Sequence, residues 1–149
     1  MQVKDVCTRR VVTIGRAASV QEAADLMRTL HVGDLVVVEE RNGARTPVGI
    51  LTDRDIVLAV VADEVDPRQV TVGDAMTFEL ATVRDTDSWA AAIEAMRDAG
   101  VRRMPVLDED GALTGMVTLD DMLILMADLA TELARLVTRE RRQEEQARA

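Results

Sequence analysis

The chain has 149 residues, 48% of them hydrophobic, and a net charge of −9. That is enough for one compact domain or two small interlocked ones, while the acidic balance excludes nucleic-acid binding by phosphate neutralisation and disfavours an anionic membrane surface. Cys7 is the only cysteine and His31 the only histidine, so no intrachain disulfide can form, no soft-ligand set for zinc is available, and no metal site is expected.

The first ten residues, MQVKDVCTRR, carry no apolar targeting core, and the apolar run around Met122–Met126 is far too short to span a bilayer. The expected location is the reducing cytosol. A short strand is predicted at Val11–Ile14. Ser19-x-x-Glu22 then opens a helix as a capping box, with Val20, Ala23, Ala24, Met27 and Leu30 on one face. Leu35–Val38 is a β-rich run, Asn42-Gly43 a hairpin turn, and Gly49–Thr52 the returning strand, which leads into a second helix. Asp63–Val70, with Pro67, is the expected linker.

The same order then recurs. Val72-Gly73-Asp74-Ala75-Met76-Thr77 falls on Val3-Lys4-Asp5-Val6-Cys7-Thr8, and Thr82, Ser88, Ala92 and Met96 each follow Thr13, Ser19, Ala23 and Met27 by 69 residues. Gly115-Met116-Val117-Thr118 follows Gly49-Ile50-Leu51-Thr52 by 66; the difference falls in the connection around Glu39–Pro47, where a loop absorbs length cheaply. A strand at Ala81–Val83, a helix carrying Trp89, Ala92, Ile93, Met96 and Ala99, a strand at Met104–Leu107, the Asp110-Gly111 turn and a strand at Gly115–Thr118 complete the second unit. The expected fold is α/β (α+β): two tandem β-α-β-β-α repeats, 1–65 and 66–128, packed with pseudo-two-fold symmetry, followed by an extended C-terminal helix and charged tail over 129–149.

In that last helix Met122, Met126, Leu129, Leu133 and Leu136 alternate in steps of four and three, the spacing of a coiled-coil seam, before Arg139-Glu140-Arg141-Arg142-Gln143-Glu144-Glu145 turns polar on every face. The stripe predicts packing against a second copy; folding back on its own domain is the alternative.

The ordered landmarks Val72–Thr77, Arg103-Met104-Pro105-Val106 and Gly49-Ile50-Leu51-Thr52-Asp53-Arg54-Asp55, present twice in register, resemble the cystathionine-β-synthase-type (CBS) domain, two copies of which form a Bateman module. The resemblance covers Val3 to about Met126. It implies a regulatory homodimer binding an adenosine compound (AMP, ADP, ATP, S-adenosylmethionine or NAD) between the copies, with no obligatory cofactor, and a regulated partner protein. The family signature Gly-h-x-(Thr/Ser)-x-x-Asp, with h apolar, occurs as Gly49, Thr52, Asp55 and as Gly115, Thr118, Asp121. By resemblance each Asp takes the ribose hydroxyls and each Thr a ribose or phosphate oxygen, while Met104 and Pro105, with Val12 or Ala81 from the opposite copy, hold adenine. Arg102, where the first copy has Gly33, is placed near the phosphates and favours the Thr118/Asp121 site.

The chemistry is compatible. An ionised carboxylate only accepts hydrogen bonds and suits a vicinal diol that donates twice, and a helix start favours phosphate. Only Phe78 and Trp89 are aromatic, so a bound base must rest on aliphatic side chains. Two plainer readings stand beside this. Thr-x-x-Asp is also an ordinary capping box, and Arg102 can be a solvated surface arginine. Asp53, Asp55, Asp120 and Asp121 stand at two helix starts without a His, Lys or Cys constellation, and Ser19 and Ser88 read as caps, so catalysis is not expected. Cys7 reads as a small packing residue and His31 as a helix C-cap. The competing function is a ligand-free structural or stress-associated protein working through protein contacts.

Overall fold

The computed structural model describes residues 1–148; Ala149, the last residue of the expected tail, lies outside them. After a 3-10 turn at Val3–Asp5, the first half contains β1 (Thr13–Gly15), α1 (Val20–Leu30), β2 (Asp34–Arg41), β3 (Ala44–Thr52) and α2 (Asp53–Ile56), which runs on through a π turn at Val57–Val61. The second half contains α3 (Val72–Ala75), β4 (Val83–Arg84), α4 (Trp89–Ala99), β5 (Arg103–Leu107), β6 (Leu113–Thr118) and α5 (Leu119–Arg148). Each half has one three-stranded sheet, ordered β1-β2-β3 and β4-β5-β6, with the first pair parallel and the second antiparallel. This is the duplicated α/β architecture that the repeat implies.

Local chemistry explains the elements. Ser19 accepts from the Glu22 N–H while the Glu22 carboxylate accepts from the Ser19 N–H, so the predicted capping box opens α1. His31 ends α1 in the left-handed conformation (φ 55°), as Gly100 (φ 65°) ends α4 at the matching position. Asn42 and Gly43 both have positive φ, the requirement of a two-residue hairpin turn, and pairing continues up to Arg41 and Ala44, so β2 and β3 are longer than predicted. The second hairpin is wider. The Asp108 carboxylate accepts from the Ala112 and Asp110 N–H groups and closes the loop before pairing resumes.

The two halves exchange their leading segments. Val3 lies in the core formed by Val83, Ala92, Met96, Met104, Val106, Val117 and Met122, all from the second half. Val72 and Met76 lie in the core formed by Ala23, Met27, Leu35, Val37 and Leu51, all from the first. Val3 and Lys4 donate to the carbonyls of Asp87 and Asp85, and Val72 and Gly73 to those of Ala18 and Arg16. Thr8 and Met116 bond in both directions at 2.8 Å, and Thr77 and Ile50 do the same at 2.9 and 3.2 Å. Each leading segment is thus an extra element of the other half's sheet. Burying Val3 and Val72 completely contributes about 1.5–3 kcal/mol apiece to holding the halves together.

Strand alternation sorts the rest. Leu35 and Val37 face the first core and Met104 and Val106 the second, so Val36 and Pro105, both fully buried, occupy the opposite strand faces, where β3 and β6 approach one another.

Candidate functional site

A cleft of about 620 Å³ opens where the start of α5 meets the first half. The second half supplies Arg103, Met116, Thr118, Asp120 and Asp121, and the first half supplies Arg10, Val11, Val12, His31, Val32 and Asp34. Thr118 ends β6 and Asp121 stands in the first turn of α5. The Thr118 hydroxyl donates to Asp121 Oδ2 at 2.6 Å, and the Asp121 N–H donates to the same hydroxyl at 3.1 Å. The motif therefore caps its helix, and Oδ1 of Asp121 keeps no partner among the described residues. One oxygen stays available to a diol.

Thr52 and Asp55 make the fuller box. Both the N–H and the hydroxyl of Thr52 donate to Asp55 Oδ2 at 2.8 Å, and the Asp55 N–H returns to the hydroxyl at 3.2 Å. Matching bonds seat the two helix starts: Asp53 N–H donates to the Gly33 carbonyl at 3.0 Å and Leu119 N–H to the Arg102 carbonyl at 2.8 Å. Gly33 thereby packs beside the Asp53 carboxylate, 3.4 Å from where a Cβ would stand.

The remaining expected residues divide. Val12 lines the cleft with Thr118 and Asp121. Met104 is fully buried in the second core and Pro105 is fully buried on the opposite face of β5, so neither wall residue reaches this cleft. Ala81, the repeat mate of Val12, is half-buried against the second core. Arg102 points elsewhere: it bonds Asp120 at 3.0 Å and lines a separate groove of about 320 Å³ with Ile93, Met96, Gly100, Val101 and Leu119. The cleft arginines are Arg103 and Arg10. Strand alternation carries the signal for Arg103, since it shares a β5 face with Pro105 rather than with Met104. Arg10 carries no local signal; only the crossing of the leading segment brings it to the other half.

The charges are mostly paired. Arg103 donates to Asp34, and Arg102 to Asp120. This leaves Arg10 and Asp121 as the cleft's arginine and carboxylate without an ion-pair partner among the described residues. The glycines of the signature have a structural cause. A Cβ on Gly115 would meet Cys7 Sγ at 2.9 Å and the Thr8 carbonyl at 3.0 Å, and one on Gly49 would meet Met76 Sδ at 2.6 Å and the Thr77 carbonyl at 2.8 Å. The backbone that approaches each glycine is the exchanged segment. Cys7 is half-buried there, and burial pushes its thiol pKa up, as suits a packing residue. Among the described residues no three His, Cys, Asp or Glu side chains gather to hold a metal, and no helix is long and apolar enough to cross a membrane.

The sequence model of the CBS domain matches residues 3–62 and 72–128. The uncharacterized protein MK0525 of Methanopyrus kandleri is 35% identical over 83% of this chain, which spans 61% of that protein. The CBS domain-containing protein YhcV of Bacillus subtilis is 36% identical over 82% of this chain and 83% of its own length. Among solved structures, the CBS domain pair of MJ0100 in complex with 5′-methylthioadenosine and S-adenosylmethionine superposes with a TM-score of 0.73 at 25% identity, covering 86% of this chain and 97% of that one. Hypoxic Response Protein I, solved with two coordinated zinc ions, gives 0.72 at 29% identity over 83% and 97%. A hexameric CBS-CP12 protein from bloom-forming cyanobacteria gives 0.70 at 28% identity over 83% and 66%.

Proposed function

This chain belongs to the CBS-domain family and carries two of its repeats; from that premise we propose that it is a non-catalytic regulatory module of the cytosol that binds an adenosine compound of the AMP, ADP, ATP or S-adenosylmethionine class between the repeats. The sequence units are 1–65 and 66–128, with 129–149 as the segment that presents the bound state to a partner protein.

The observation that carries this reading is the cleft itself, in which Thr118 and Asp121 of one repeat face Val11, Val12 and Val32 of the other. Asp121 Oδ1 is assigned to the ribose diol, the aliphatic side chains and Met116 to the base, and Arg10 with the start of α5 to phosphate. The complex of MJ0100 with two adenosine compounds supports the ligand class. The site at Thr118/Asp121 is the favoured one of the two. The repeat position of Arg10 is Glu79 in the other half, which opposes an anion at Thr52/Asp55, and the fuller capping box there suits a structural role.

Homodimerisation is the second part of the proposal. Leu129, Leu133 and Leu136 are about half exposed or more on α5, and a solvated apolar seam of that spacing is what a second copy covers. Calorimetry with adenosine, AMP, ATP and S-adenosylmethionine tests the ligand. Binding of at least one, lost in Asp121→Asn and retained in Asp55→Asn, is the expected result. Absence of heat for all four at millimolar concentration would leave only the ligand-free architectural protein.

A further inference from the structure

Two acids and two arginines line the cleft near the start of α5 in a way that the ligand motif does not require. Arg103 opens β5 and Asp34 opens β2; the two occupy the same position in their repeats, 69 residues apart, and the Arg103 guanidinium donates to the Asp34 carboxylate. The Asp34 side chain is only 16% exposed whereas that of Arg103 is 43% exposed. The carboxylate is therefore held inward while the guanidinium still faces the cleft. A guanidinium has five N–H donors and binds carboxylate and phosphate with the same fork, so the two anions are alternatives for it.

We propose that Asp34 is a built-in competitor for the phosphate of a ligand, occupying Arg103 so that the cleft admits a neutral adenosine compound without rearrangement, whereas a phosphate that draws on Arg103 beside Arg10 must displace the Asp34 contact. The inference rests on the cleft reading above and adds to it the feature that sets ligand charge. Its cause is local. With Arg103 satisfied by Asp34 and Arg102 by Asp120, Arg10 is the one cleft arginine without a carboxylate partner among the described residues. A phosphate that recruits Arg103 as well leaves Asp34 partly buried without its counter-charge, a cost that an uncharged ligand does not incur. Because the pair bridges the two repeats, its displacement also removes a contact between them, which gives charged and neutral ligands different effects on the repeats' relative position.

The test is calorimetry on the full chain with adenosine and AMP as probes, in wild type and in Asp34→Asn, each also in an Arg103→Gln background. The expected result is that Asp34→Asn raises the preference for AMP over adenosine about tenfold, the size of one charge-assisted hydrogen bond. In the Arg103→Gln background the same substitution should move it by less than about twofold, and the gain should shrink as salt is added. Should the amide disturb folding, Asp34→Ser supplies the same comparison. Adenosine binding with an unchanged preference, or an equal gain in the Arg103→Gln background, overturns the competitor and leaves the cleft reading standing. Absence of binding of either probe by folded wild type and variants overturns the cleft reading, and the competitor with it.

Discussion

A Cβ on Gly115 would stand 2.9 Å from the Cys7 sulfur, although the two residues are separated by most of the chain and belong to different repeats. The signature glycine is therefore a packing requirement between repeats: it admits the segment that each repeat lends to the other. Gly115→Ala should cost about 1–3 kcal/mol of stability by overpacking. Gly49→Ala should cost more within that range, because the obstructing atoms include the Thr77 carbonyl at 2.8 Å. Urea unfolding midpoints check both. Cys7→Ala should recover part of the Gly115→Ala loss, since the thiol is the nearer obstacle, and no recovery would mean that the Thr8 carbonyl dominates.

The repeat register made the architecture legible from the sequence, because helical and strand periodicities recur in the same order and the matched residues at the helix ends have the same role in space. His31 and Gly100 both end a helix in the left-handed conformation, and Thr52 and Thr118 both cap one. The exchange of leading segments was not legible. Val3 and Val72 look the same whether they pack on their own half or the other, and apolar pattern records burial, not partner. Arg102 precedes β5 and Arg103 begins it, and that one-residue step sends Arg103 to the cleft and Arg102 to the neighbouring groove, a difference that residue type alone does not carry.

Acid should unfold the protein partly through its capping carboxylates. The hydrogen bonds from Ser19 hold the Glu22 carboxyl below its ordinary value of 4.5, and those from Thr71 hold Asp74 below 3.8. A depressed folded-state pKa means that the unfolded chain binds more protons, so this stability is fully present above the unfolded value and is lost as pH falls through the folded one. The denaturation midpoint should drop as pH falls from about 5 towards 3, in the range of ordinary carboxyl titration. Thr71→Ala should shallow the drop while lowering stability at neutral pH by about 1 kcal/mol. An unchanged slope would remove Asp74 from the acid response.

The Cys7 thiol should resist alkylation in the folded state. Burial disfavours its thiolate, and the thiolate is the nucleophile. At pH 8 the rate with iodoacetamide should be several-fold lower than for the same chain unfolded in urea, and Gly115→Ala, by pushing on the sulfur, should raise the folded rate. A native rate equal to the unfolded one would show that Cys7 is open to solvent and is not the packing residue that its contact with Gly115 implies.

The seam on α5 yields the sharpest prediction about assembly. Met122 lies in the second core at 2% exposure, so the helix is anchored there, while Met126, Leu129, Leu133 and Leu136 beyond it are 47–64% exposed. From Leu119 to Arg148 the helix is about 45 Å long, and every described residue of its outer half is exposed. Leu133→Glu touches no core residue, so within one chain it should move stability by no more than a surface substitution does, about 0.5 kcal/mol. Between two chains it places a charge in the middle of the seam. Sedimentation should therefore show a dimer for wild type and a monomer for Leu133→Glu at the same concentration, with near-identical far-ultraviolet dichroism. Ile124→Glu, on a different helical face from Leu133, separates the alternatives: if it dissociates the dimer and Leu133→Glu does not, the contact lies on the face of α5 that carries Ile124, and the coiled-coil seam is not the interface.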